Sequence, residues 1–166
     1  MVTKTPITIG ETYSFMNVTC TFVGGIANFS IGNDSAVAEE GITIEPVGEQ
    51  NKMTIGAGGS GMHNLRAGTY GKVIIRLLKT ANENALLMRC FDVQRMSSSL
   101  WGKNEILLSE NASGDEIVCS GCAFTNPPRL TYAMEGGINE WEFDCLSVYR
   151  ILGEYNVITT ATQPSS

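Results

Sequence analysis

At 166 residues the chain is read as one domain, and a domain of that size buries about 70% of the surface its unfolded form exposes, without needing disulfides or a metal. Its net charge is −6, and its eleven Lys and Arg residues are scattered, which excludes ordinary binding to a nucleic-acid backbone. An apolar share of 43% with 18 glycines and many Thr, Ser and Asn residues favours a turn-rich, mainly β protein.

Residues 1–10 carry one lysine and no apolar run, so no secretory signal is expected, and no apolar stretch approaches the length of a bilayer span. Five cysteines without such a signal are expected to be reduced thiols. The Asn-x-Ser/Thr triplets at Asn17, Asn28, Asn33 and Asn111 are then chance products of composition. Met16, Val18, Cys20 and Phe22 alternate with polar residues as a half-buried strand. Gly24-Gly25 marks a hairpin, and Ala27, Phe29 and Ile31 form the return. A short strand holds Ile42 and Ile44 before Pro46, and another holds Met53 and Ile55.

Gly56-Ala57-Gly58-Gly59-Ser60-Gly61 then opens a segment with too little side-chain volume to pack a core of its own. Residues 40–70, with Glu40, Ile42, Ile44, Met53, Ile55, Gly56, Gly58, Gly59, Gly61 and His63, are therefore expected to form an extended hairpin or arm that orders against a partner.

A strand at 71–79 places Val73, Ile75 and Leu77 on one face and runs straight into a helix at about 81–93. Thr80-Ala81-Asn82-Glu83 fits a capping box, and Leu86, Leu87, Cys90, Phe91 and Val93 make the helix's apolar stripe. Leu100-Trp101-Gly102 is a packed turn. Ile106 and Leu108 start a strand that turns at 111–115 and returns over 117–124, until Pro127-Pro128 breaks the ladder. Leu130, Tyr132 and Met134 suggest a further strand, with Gly136-Gly137 as its turn. The last strand sets Trp141, Phe143 and Cys145 against Glu140, Glu142 and Asp144. The expected fold is mainly β, a sandwich or barrel of about eight strands with one packed α-helix over residues 1–152, followed by a polar tail at 153–166.

The motifs that could carry chemistry lack what that chemistry needs. The G-x-G-x-x-G match at 56–61 is not followed by the helix whose N-terminus would meet a pyrophosphate, and Gly71-Lys72 is no Walker loop. Cys119-Ser120-Gly121-Cys122 has no second ligand pair, because Cys20, Cys90 and Cys145 occupy apolar positions of their own elements, and it lies in a strand rather than at a helix N-terminus. The one histidine, His63, lies in the glycine-rich arm without an orienting group. No catalytic, cofactor-binding or metal-binding residue is assigned. The carboxylates of Glu140, Glu142 and Asp144 read as a solvated face or, repeated around a ring, as the negative lining of a channel.

Glu40-Gly41-Ile42-Thr43-Ile44-Glu45-Pro46, Met53-Thr54-Ile55-Gly56-Ala57, residues 71–87, and above all Leu130-Thr131-Tyr132-Ala133-Met134-Glu135-Gly136-Gly137-Ile138-Asn139-Glu140-Trp141-Glu142-Phe143 resemble the tail tube proteins of contractile-tailed bacteriophages. The similarity covers most of residues 12–152. It implies a tail-tube-like fold and a structural, non-enzymatic virion subunit without a cofactor or membrane anchor, made in the host bacterial cytoplasm. It further implies hexameric rings stacked inside a contractile sheath, with DNA passing through the lumen unbound. The implied partners are further copies of the chain and the sheath, tube-terminating, baseplate and tape-measure proteins. The remaining readings are a tube initiator or secretion-system tube protein of the same fold, a monomeric cytoplasmic β-sandwich that binds a ligand, and an enzyme using His63 or Cys119 and Cys122.

Overall fold

A computed structural model describes residues 12–32 and 37–155, the side chains of 37–40 excepted. After a single 3-10 turn at Phe15–Asn17 come β1 (Val18–Val23), β2 (Asn28–Gly32), β3 (Val37–Pro46), β4 (Asn51–Ile55), β5 (Gly61–Leu65), β6 (Gly71–Leu78), α1 (Glu83–Arg95), β7 (Asn104–Glu110), β8 (Asp115–Asn126) and β9 (Ile138–Ile151). Seven of these strands form one sheet in the order β2-β1-β7-β8-β9-β6-β3, and every pairing in it is antiparallel. Among the described residues β4 and β5 pair only with each other. The architecture is a curled half-barrel sheet with one helix among the described residues, which agrees with the mainly β expectation.

The curl follows from one pair of rings. Phe22 on β1 and Phe143 on β9 are three steps apart in the sheet, about 14 Å if it were flat. Their ring centroids lie 5.6 Å apart, so the sheet wraps until its inner face meets itself. The alternating residues of β1, β6 and β9 fill the concavity: Cys20 and Phe22, then Val73, Ile75 and Leu77, then Trp141, Phe143 and Cys145. Phe124 on β8 is the hub, with the rings of Phe22, Phe91, Trp101, Trp141 and Phe143 between 4.7 and 6.4 Å from its centroid.

Leu87, Cys90, Phe91 and Gln94 bury the inner face of α1, while Leu86 and Val93 are half-buried. The N-cap is Asn82 rather than Thr80. The helix starts at Glu83, and its N-cap Asn82 makes no side-chain capping bond. A tertiary network fixes the entry instead: Asn84 donates Nδ2 to the Leu78 carbonyl at 2.9 Å and accepts from Trp141 Nε1 at 2.9 Å. At the other end, the buried amides of Gln94 and Asn104 exchange two hydrogen bonds of 2.6 and 2.9 Å, tying α1 to β7. Gln94→Ala should cost about 1–3 kcal/mol by leaving the Asn104 amide buried and unpaired, whereas Gln94→Leu with Asn104→Leu should recover most of it. Urea denaturation of the wild type, the Gln94→Ala variant and the Leu–Leu double variant measures both effects.

Leu130, Tyr132 and Met134 do not form a strand. Both sides of β9 are already taken, by β8 and β6, so no position beside β9 remains for residues 127–137, which run as an exposed loop. The C-terminal stretch is tied down as far as it is described. Gly153 N donates to Asp115 Oδ1 at 2.8 Å, and the Tyr155 hydroxyl donates to the buried Glu110 carboxylate at 2.8 and 2.9 Å. The bond to Glu110 pushes the Tyr155 phenol up to about 12, because ionisation would set two anions against each other. A raised folded-state pKa means that the bond's contribution is complete below the ordinary tyrosine value of 10.0 and is lost as pH rises through about 12. Tyr155→Phe should therefore lower the melting temperature equally from neutral pH to about pH 10, and the gap from wild type should close by about pH 12.

Candidate functional site

The surface features that call for a partner begin with the hairpin of β4 and β5. Asn51 pairs with Leu65, Met53 with His63 and Ile55 with Gly61, so Met53, Ile55 and Leu65 share one face while Met62 lies on the other. All four apolar side chains are exposed, Leu65 at 88%, and every residue of β4 is exposed. A two-stranded ribbon with neither face packed is marginal on its own in water. At its tip Gly59 takes φ 85°, donates to the Gly56 carbonyl at 3.0 Å and so requires glycine; Gly56, Gly58 and Gly61 have no positive φ.

The arm is shorter than residues 40–70. Glu40, Ile42 and Ile44 belong to β3 in the main sheet, where Ile42 and Ile44 pair with Ile75 and Val73 and pack on the core. The free arm is Val47 to Tyr70. Its root is firm: Val47 N donates to the Tyr70 carbonyl, Arg66 N to the Gln50 carbonyl and Val148 N to the Thr69 carbonyl at 2.9–3.0 Å. Gly71 marks the junction, since a Cβ there would fall on the Val148 side chain. Among the described residues the sheet ends in two edges, β2 and β3, and β3 carries a bulge between Val37 and Ile42 with Gly41 at φ 65°.

The carboxylates Glu140, Glu142 and Asp144 project from the face of β9 opposite Trp141 and Phe143, as the alternation requires. The register sets Arg76, Ile74 and Lys72 of β6 across from them. Arg76 Nε lies 3.3 Å from Glu140, and Lys72 Nζ lies 3.5 Å from Glu142. These half-exposed pairs are worth little in stability, on the order of 0–1 kcal/mol. Their consequence is electrostatic. The face is not purely acidic, yet among the described residues paired here, with Glu45 opposite Lys72, it still holds four carboxylates against two cations.

The third feature is the 127–137 loop, where Leu130, Tyr132 and Met134 are exposed, Met134 completely. Lys79 shapes it, donating Nζ to the Thr131 carbonyl at 2.6 Å and lying 3.4 Å from the Tyr132 ring centroid. The alternation of these residues was legible in the sequence; that they stay outside the sheet was not.

The remaining motifs are placed as follows. His63 lies on the exposed ribbon with its Nδ1 3.0 Å from Asn51 Nδ2. Cys119 and Cys122 are both fully buried although they are three residues apart, because Gly121 takes φ 63° and breaks the alternation of β8. Cys122 and Cys145 face each other in register and are joined in a disulfide, which corrects the expectation of five reduced thiols; the pairing puts both side chains on the same inner face. Burial pushes the thiol of Cys20 up to about 12 and that of Cys119 to about 11, and it raises Cys90 as well, so none of these is an activated nucleophile. No three His, Cys, Asp or Glu side chains cluster to hold a metal among the described residues.

The family model described as bacteriophage PhiTE tail tube protein matches residues 11–153. The chain belongs to this tail tube family. Among solved structures, the anti-feeding prophage cap, a tube-terminating cap determined by cryo-EM, is 10% identical with a TM-score of 0.53, over 89% of this chain and 95% of that one. At that identity the likeness is one of fold. Comparison with the curated proteins finds no match. Membership gives a structural tail tube role in the virion tail, and it implies assembly with further copies and with other tail components.

Proposed function

We propose that this tail tube chain builds the inner tube of a contractile phage tail as stacked hexameric rings through which the genome is delivered. The observation that carries the reading is the β4–β5 arm, rooted firmly in the sheet yet packed on neither face. A monomer leaves its apolar side chains in water, and a neighbouring copy buries them. The edges β2 and β3 supply the second element, because pairing them between neighbours closes an otherwise open sheet into a ring.

In that ring Glu140, Glu142 and Asp144 face the lumen. They lie on the side of β9 away from α1, so the helix stays outside the inner barrel, available to a sheath protein. The excess of carboxylates over Lys72 and Arg76 lets DNA slide past without adhering. Tube-terminating, baseplate and tape-measure proteins are the further partners of such a tube. Negative-stain micrographs of the concentrated, purified protein test the reading. Hollow rings or tubes with six-fold end views are expected, and dispersed monomers at every concentration would overturn it.

A further inference from the structure

The arm and the 127–137 loop stand at opposite ends of β6. Gly71 pairs with Pro46 and Cys145 where the arm departs, and Leu78 pairs with Ile138 where the loop returns. The strand between them spans about 25 Å. The Val47–Tyr70 and Gln50–Arg66 bonds carry the β3–β6 pairing outward past Gly71, so the arm leads away from its own chain's loop. Each pole therefore presents unpacked apolar side chains: Met53, Ile55 and Leu65 at one, Leu130, Tyr132 and Met134 at the other.

Three further observations select a second copy as the occupant. The loop is already shaped, by Lys79 through Thr131 and Tyr132 and by the Lys79 N–Gly137 carbonyl bond of 3.1 Å, so little ordering is needed to receive a ribbon. Charge permits the contact. The arm sets Glu49 against Lys52 and Arg66, and the loop sets Glu135 against Arg129, so neither carries the carboxylate excess of the −6 chain. Size fits too, since Val47 to Tyr70 is about the ~20–30 residues that one side of a stable interface takes. Two different, matching surfaces at opposite poles make a heterologous contact, and one repeated along the strand direction gives an open stack.

We propose that the arm of one copy docks on the 127–137 loop of the next copy along the strand axis, burying Met53, Ile55 and Leu65 against Leu130, Tyr132 and Met134. This rests on the arm reading above and names the surface that receives the arm. The test compares an arm variant, Met53→Glu with Ile55→Glu, a loop variant, Tyr132→Glu with Met134→Glu, and their equimolar mixture, using light scattering and electron microscopy. The changed side chains are all exposed, so both variants should match the wild-type circular dichroism spectrum and melting temperature. Each alone should raise the concentration needed for tubes by roughly tenfold or more. Mixed after each variant has been purified as its own rings, the pair, with one intact arm and one intact loop, should give complexes two rings deep and no longer.

A loop variant that polymerises like wild type would overturn the docking site while leaving the arm reading intact, provided the arm variant still fails. Normal polymerisation of the arm variant would remove both. Failure of each variant alone without two-layer complexes in the mixture would also overturn the docking site. If either variant misfolds, a benzophenone amino acid replacing Leu65 in otherwise wild-type protein decides: photo-crosslinks to residues 127–138 of another copy support the contact, and crosslinks elsewhere reject it.

Discussion

Phe124→Ala should destabilise the subunit by about 3–5 kcal/mol. Phe124 is 3% exposed and touches rings from β1, β9, α1 and the turn at Trp101, so truncation opens a cavity bounded by four parts of the fold. The lining cannot collapse easily, because Phe22 and Phe143 already hold the curl closed at 5.6 Å. Lost edge-to-face contacts with Phe91 and Trp141 add to the transfer term. Against a total of roughly 5–15 kcal/mol, this takes a large share of the stability. Guanidinium titration at low protein concentration should show a lower midpoint with an unchanged slope. Leu65→Ala, at an exposed arm position, should change the unfolding free energy by no more than about 0.5 kcal/mol in the same assay.

The second large effect falls on assembly rather than folding. Deleting residues 56–61 should leave a folded monomer that forms no tubes. The deletion removes the Gly56–Ser60 turn bonds and the left-handed Gly59, so β4 and β5 lose their connection and their register. The core is untouched, because the arm's root at Val47, Tyr70 and Val148 lies outside the deletion. Thermal unfolding should stay within a few degrees of wild type while sedimentation shows monomers at concentrations where wild type polymerises. Tubes of normal length from this variant would refute the arm's role.

How much of this was legible in the sequence varied with how local the determinant is. The strict alternation of 73–77 and 141–145 located β6 and β9, and Gly24-Gly25 located the β1–β2 hairpin, because in each case one inner face dictates a period of two. Helix start and strand end were less legible where tertiary partners intervene. Asn84 is committed to Trp141 and Leu78, so α1 begins at Glu83 rather than at the Thr80 box. Leu130, Tyr132 and Met134 carry a strand-like pattern, but both neighbours of β9 are taken, and competition for sheet positions leaves no local trace. The same holds for Cys122 and Cys145, which are distant in sequence and become opposite only through the β8–β9 register.

The candidate site divides in the same way. That a glycine-rich segment would stand apart from the core was readable, but its boundary was not, because Ile42 and Ile44 are packed by β6 and so join the sheet. The acidic strand was readable. The pairing of Glu140 with Arg76 and Glu142 with Lys72 depended on register. Register also links the carboxylates to the helix, since Glu140 and Trp141 point to opposite faces: a lumen on the carboxylate side places α1 outside.

The most direct test of the account is a cryo-EM map of the assembled protein at side-chain resolution. The account predicts a six-fold tube with Glu140, Glu142 and Asp144 facing the lumen, α1 on the outer side of the inner barrel, and the β4–β5 arm packed on another copy. A tube with α1 lining the channel, or with the arm free in solvent, would contradict it.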